Sequence, residues 1–230
     1  ESSRVPHVRA VIDAIAESEN TGVREAMKWS LIAGLSATTI ALLLGTALAF
    51  AVSRYSFFGR ETISLLVVLP ISLPGIVTGI ALNNAFTKQL GISTGLFTVI
   101  VGHATFCIVV VYNNAIARLN RMGTSLQEAS MDLGANGFTT FRLITLPNLA
   151  SALFAGGLLA FGLSFDEIVV TTFTAGPGIQ TLPIWIYDNL FRPNQAPIVN
   201  VVAATLVVVS IIPIYISQRL SHDTTSGGRF

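Results

Sequence analysis

The sequence predicts an all-α, polytopic transmembrane helix bundle, from its composition, the spacing of its charges and the chemistry of backbone in lipid. Of 230 residues, 52% are hydrophobic and 11% are charged, against about 25% charged in a soluble domain. The mean hydropathy is +0.69. Such a chain carries more apolar surface than a soluble fold of its size can bury. No charge falls between Lys28 and Arg54, Glu61 and Lys88, Lys88 and Arg118, Arg142 and Asp166, or Arg192 and Arg219. Each interval exceeds the roughly 20 residues of helix that cross a bilayer core of about 30 Å. Backbone polar groups in lipid must be satisfied within the segment, which selects helices.

Five spans are therefore expected, near 29–52, 63–86, 94–117, 146–166 and 198–218. A sixth uncharged stretch, 168–187, is interrupted by Gly176-Pro177-Gly178 and Pro183 and reads as a loop with a short helix or re-entrant piece. The second span contains Pro70 and Pro74, close to Gly75 and Gly79, and is expected to kink there as a hinge, a pathway element or a plain bend. In the fourth span Ala152, Gly156 and Ala160 repeat at four-residue spacing. They form a close-packing face for another helix, in this chain or a second one.

Basic residues orient the bundle. Arg54 and Arg60 follow the first span, Arg118, Arg121 and Arg142 follow the third, and Arg219 and Arg229 lie in the tail, whereas the opposite loops hold Lys88 and Arg192. Residues 54–60, 118–145 and the C-terminus are thus assigned to the cytoplasm. Segment 1–28 then lies outside, although it carries Arg4, Arg9, Arg24 and Lys28 beside five acidic residues. Pro6, Val8, Ile12 and Ile15 predict a short amphipathic helix in that segment. The organisation is an external segment 1–28, a transmembrane domain 29–220 and a cytoplasmic tail 221–230. The chain starts at Glu1 rather than Met, and an odd number of spans with the N-terminus outside predicts an upstream helix, six spans in the complete protein.

Residues 118–147 form a polar, basic, glycine-punctuated insert between two apolar runs. Ser125-Leu126-Gln127-Glu128 fits a capping box, in which Ser125 caps a helix and Glu128 reaches back to its amide. Gly134 suits the left-handed residue that ends that helix near Leu133. Thr139 or Asn136 opens a second short helix with Phe138 and Phe141 as apolar handles, and Leu146-Pro147 marks re-entry into the membrane. A short helix held in this way fits a groove on another protein; a solvated interhelical loop is the alternative.

Glu128-Ala129-Ser130, then Gly134, then Ile144-Thr145-Leu146-Pro147 resembles the EAA motif of permease subunits of ABC importers, with Ser130 where Ala is usual. From about Trp29 to Leu220 the span order is similar to spermidine/putrescine-type permeases, in particular the second permease of such systems. So are Ser164-Phe165-Asp166-Glu167, Thr174-Ala175-Gly176-Pro177 and Thr181-Leu182-Pro183-Ile184. The resemblance implies a type I ABC importer permease in a bacterial inner membrane. Its partners would be a second homologous permease, two cytoplasmic ATP-binding subunits and an external substrate-binding protein. It implies a coupling helix whose contacts to the ATPase come from Glu128, Ala129, Ser130, Asp132, Leu133, Gly134 and Ala135, with Leu146 and Pro147 completing the motif. A polyamine or related cation is the implied cargo; iron, sulfate, phosphonate or an amino acid are the alternatives within the same architecture.

The chain has no phosphate-binding loop, since Lys28 and Lys88 are its lysines and neither follows a glycine. ATP and Mg are therefore expected on the partner subunits, with no cofactor in this chain. The net charge of +1 speaks against nucleic acid. His7, His103 and His222 lack metal-ligand spacing, and the single Cys107 allows no thiol cluster. For the solute path the candidates are Asp166, Glu167, His103, Pro70 and Pro74. His103 either packs through hydrogen bonds or lines the path. Asp166 and Glu167, near the outer end of the fourth span, suit an incoming cation. Adjacent residues point in different directions on a helix, so one of them, Asp166, is favoured for the path. A self-contained secondary transporter would need ionisable groups deep in the spans, and His103 is the only candidate there.

Overall fold

The computed structural model describes residues 21–191 and 196–226. The predicted helix around Pro6, Val8, Ile12 and Ile15, together with His7, Arg192 and Arg229, lies outside the described residues. No strand occurs among the described residues. In chain order the helices are α1 (Thr21–Arg54), α2 (Arg60–Ser72), α3 (Gly75–Asn84), α4 (Leu96–Arg121), α5 (Ser125–Asp132), α6 (Gly137–Thr140), α7 (Leu146–Phe165), α8 (Val169–Thr174), α9 (Leu182–Asn189) and α10 (Ala196–Ser226). A wide π turn, Ala85–Gln89, extends α3, and a second, Phe141–Thr145, joins α6 to α7.

Three helical runs are long and apolar enough to cross a membrane: 22–54, Leu96–Arg121 and Gly137–Phe165. The expected second span is broken. Its halves, α2 and α3 with its π turn, are separate helices with a break at residues 73–74, so they form a fourth, broken span or a re-entrant loop. Pro70 is carried inside α2 and Pro74 sits at the start of α3 with φ −56° and ψ 133°. The interruption falls at Pro74 because its ring disfavours a helical Leu73. In the fifth predicted span the apolar stretch is Ile198–Ile212 within α10. The first helix starts at Thr21, so residues 21–28, assigned from sequence to an external segment, belong to the same helix as the span. The 168–187 stretch is two short helices rather than a loop with one. Pro183 stands in the first turn of α9 rather than breaking it, because a first-turn proline loses no helical hydrogen bond.

The chain divides into two compact units. Of the described residues, the first comprises those up to Ala37, Leu73–His103 and Gly162–Ile212. Here α3 lies directly on α8: a Cβ on Gly79 would come within 2.6 Å of the Phe173 ring. Asn83 Nδ2 donates to the Phe173 carbonyl at 2.6 Å. The Thr98 hydroxyl donates to the Thr174 carbonyl at 2.7 Å, and Ser30 Oγ accepts the Leu182 amide at 2.8 Å, tying α9 to α1.

The second unit comprises Thr38–Ser72, Ala104–Phe161 and the chain from Pro213. Its buried cluster is Ala49, Val52, Tyr112, Ala115, Leu119 and Leu149, with the Tyr112 hydroxyl donating to Ser64 Oγ at 3.1 Å. The small-residue stripe packs within this chain. A Cβ on Gly156 would meet Asn114 at 3.1 Å, and the Ala160 carbonyl accepts from Cys107 Sγ at 3.3 Å, so α4 is its partner. Leu43, Leu65 and Leu66 remain exposed, as side chains that face lipid or another subunit do.

Candidate functional site

The insert 118–147 lies wholly in the second unit. Arg118 and Arg121 occupy the last turn of α4, where a cation suits the helix dipole. Arg118 Nε donates to the Asn148 carbonyl at 3.1 Å and Arg121 Nε to the Ala117 carbonyl at 3.1 Å.

The predicted capping box is not formed. Ser125 is the first helical residue of α5, and the cap position is Thr124, itself helical at φ −82° and ψ −15°, with no side-chain hydrogen bond to the helix. A cap side chain reaches the free amides from extended backbone; Thr124 is already curled, and its carbonyl accepts from Gln127 and Glu128 instead. Glu128 therefore keeps its carboxylate exposed rather than folded back on a cap.

The end of α5 agrees with the sequence in detail. Gly134 has φ +87°, the Gly134 amide donates to Met131 O at 2.8 Å, and the Ala135 amide reaches back to Ser130 O at 3.1 Å. This is the paired closure of a Schellman motif. Asn136 then caps α6 from extended backbone, its Oδ1 accepting from the Thr139 amide at 2.8 Å.

Two polar ties that sequence reasoning missed hold α5 to α6 and to the wide turn after it. Gln127, buried, donates through Nε2 to Thr145 Oγ1 at 3.0 Å. Ser130 shares a hydrogen bond of 3.1 Å with Thr140, which gives the hydroxyl at the motif's third position a structural use that alanine could not supply. The signal was a set of hydroxyls and amides spaced along a polar insert, but the pairings are not local in sequence.

The exposed side chains of the insert include large apolar ones beside Glu128 and Asp132. Leu133 is 90% exposed, and Leu126, Met131 and Phe138 are exposed as well. Large apolar side chains exposed on a short polar insert suit a surface that another protein covers. The structure brings Glu128, Ala129, Ser130, Asp132, Leu133, Gly134 and Ala135 together on α5 and its closing turn. Leu146 and Pro147 lie in the first turn of α7. Pro147 does not mark a fresh helix start, because Gly137–Phe165 is continuous. In a regular α-turn its ring would meet the Leu143 carbonyl; the wide turn Phe141–Thr145 immediately before it opens the spacing.

The residues proposed for a solute path are placed differently. His103 is buried between Ser164 Oγ and Thr171 Oγ1, each 2.7 Å from a ring nitrogen. Because the Thr171 hydroxyl donates to the Glu167 carbonyl at 2.9 Å, Nε2 of His103 is assigned as the donor to Thr171, and Nδ1 accepts from Ser164. His103 is thus a packing residue that ties α4 to Ser164 and to α8. His103→Leu is expected to lower the unfolding midpoint through a loss of about 2 kcal/mol with the KM for solute unchanged. A raised KM at an unchanged midpoint in a transport and thermal-shift assay would place His103 in the path instead.

Glu167 Oε1 accepts the Val170 amide at 2.8 Å, so this carboxylate caps α8. Asp166 keeps an exposed surface, and partial burial of its carboxyl raises its pKa from the ordinary value. Of the two adjacent carboxylates, Asp166 is the one free of capping. Pro74 lies in the first unit at the start of α3, and Pro70 lies in the second, inside α2.

Apolar runs long enough to cross a bilayer, with a folded polar insert between two of them, define a multi-pass membrane protein. The chain belongs to the family of binding-protein-dependent transport system inner membrane components, which matches residues 37–225. It is 35% identical over 208 residues to the spermidine/putrescine transport system permease protein PotC of Escherichia coli K12, covering 90% of this chain and 78% of that protein. It is 33% identical to the putrescine transport system permease protein PotI of the same strain, over 83% of this chain and 71% of that one. The inward-facing structure of the MetNI methionine ABC transporter shares the fold, with a TM-score of 0.68 at 20% identity, covering 88% of this chain and 94% of the matched chain.

Proposed function

We propose that this chain is a transmembrane subunit of an ATP-driven polyamine importer. It pairs with a second permease, two cytoplasmic ATP-binding subunits and an external solute-binding protein. The observation that carries the reading is the docking loop: α5, closed at Gly134 in the spacing of the EAA motif, with Leu126, Met131 and Leu133 turned outward. The polyamine class rests on the 33–35% identity to permeases named for spermidine and putrescine. In this reading residues 118–147 and the C-terminus face the cytoplasm, where the ATP-binding subunits hold ATP and Mg and perform the hydrolysis. The chain itself is not an enzyme and needs no cofactor. Closure of the ATP-binding subunits moves α5, and the bundle alternates between outward and inward access.

Co-expression with its ATP-binding subunits tests the assembly: the ATPase should co-purify with the chain, and reconstituted vesicles should take up labelled spermidine or putrescine on ATP addition. Competition with amino acids and oxyanions distinguishes other cargo; uptake that ignores polyamines and responds to one of those overturns the assignment. Asp166 guides the cation in this reading, while Glu167 caps α8. Asp166→Asn is then expected to raise the KM for spermidine about tenfold with little change in stability, as the loss of one charge partner does. Glu167→Gln should cost about 1 kcal/mol of stability and leave KM in place; steady-state uptake with thermal melts separates the two.

A further inference from the structure

Next to the docking helix is an ionic arrangement that the docking reading does not use. A cleft of about 250 Å³ is lined by Phe50, Tyr55, Phe141 and Gln127 together with two charged side chains, Arg54 and Glu128. The aromatic wall is braced, with Phe141 edge-on to Phe50 at 5.0 Å and Phe50 edge-on to Tyr55 at 6.2 Å. Arg54 ends α1, and its Nε and Nη2 are buried with no hydrogen-bond partner among the described residues. Glu128 is exposed on α5, and no ion pair within 4 Å joins the two.

A guanidinium keeps its charge at every physiological pH, and a buried one strongly favours any geometry that supplies an anion. The charged side chains lining the cleft are Arg54 and Glu128, which are of opposite sign.

We propose that Arg54 is a positioning residue for the docking helix: its guanidinium pairs with the Glu128 carboxylate across this cleft and sets where α5 stands relative to the end of α1. The inference rests on the docking reading above, since it concerns the same helix.

The test is a double-mutant cycle in the assembled transporter. R54Q, E128Q, the double variant R54Q/E128Q, and R54E and E128R singly and as the exchanged pair R54E/E128R are reconstituted in nanodiscs with the partner permease and the ATP-binding subunits. Retention of the ATP-binding subunits and ATP hydrolysis are then measured. Each single variant is expected to change retention by about tenfold, the double variant by no more than either single one, and the exchanged pair to retain more than R54E or E128R alone. Losses that multiply to about a hundredfold in the double variant, together with an exchanged pair no better than R54E or E128R alone, overturn the pairing. That outcome would leave Arg54 as a contact to the ATPase or as a purely structural residue. Where R54Q lowers the membrane yield, R54K and the exchanged pair carry the test: restored yield without restored retention also overturns it. A wild-type chain that retains no ATP-binding subunit refutes the docking reading itself, and the pairing with it, and is distinguished by the failure of all variants alike.

Discussion

Gly134→Pro is expected to leave the chain inserted in the membrane while coupled uptake falls more than tenfold. Gly134 sits at φ +87°, and its amide donates to Met131 O. Proline fixes φ near −65° and has no amide hydrogen, so it removes both features at once, at a cost of about 3 kcal/mol to the loop. Nothing lies within 4 Å of where a Cβ would stand, so the penalty is one of backbone conformation rather than crowding, and it stays in an exposed turn. The bundle should therefore persist. Reconstitution in liposomes, with ATP hydrolysis and solute uptake measured together, checks the result; normal uptake per ATP in the variant would count strongly against α5 as the coupling element. Gly134→Asn, which tolerates the left-handed conformation better, should lose much less.

Gly176→Ala is expected to act oppositely, damaging the fold before the coupling. A Cβ at Gly176 would overlap the Thr94 carbonyl and crowd Gly95. Those are backbone atoms, which cannot step aside as a side-chain tip can. Overpacking of this kind costs about 3 kcal/mol or more. The expected outcome is a clear drop in the unfolding midpoint of the detergent-solubilised chain and a reduced yield in the membrane fraction. A midpoint equal to wild type would mean that the Thr94–Gly95 segment and the 174–178 turn separate readily.

The charge-free intervals place the apolar helices well. Predictions of 29–52 and 94–117 became Thr21–Arg54 and Leu96–Arg121, because desolvation of charge dominates where a chain crosses lipid and leaves a one-dimensional trace. The closing turn at Gly134 was legible for a similar reason, and Asn136 was one of two candidates, with Thr139, for opening the next helix: each depends on one residue's own conformational range. What was not legible depends on residues far apart or on ambiguous patterns. Ser125 and Glu128 have the spacing of a capping box, yet the helical backbone of Thr124 displaces that role. Pro70 and Pro74 both announce a disturbance in the second span, but only the structure shows Pro70 retained inside α2 and Pro74 at the break. The Gln127–Thr145 tie, the Arg54 cleft and the histidine held between Ser164 and Thr171 bring together residues 18, 74 and 61 positions apart. No periodicity records such pairings.

The passage from α6 through the wide turn into α7 has a mechanical meaning. Had the span begun afresh at Pro147 after a free loop, a displacement of the loop would first have taken up slack before the span felt it. The helix runs unbroken from Gly137 to Phe165, and the Ser130–Thr140 and Gln127–Thr145 bonds fasten α5 to its base. The train therefore has little backlash: a small push on α5 bears on the root of the membrane helix from the start of the stroke.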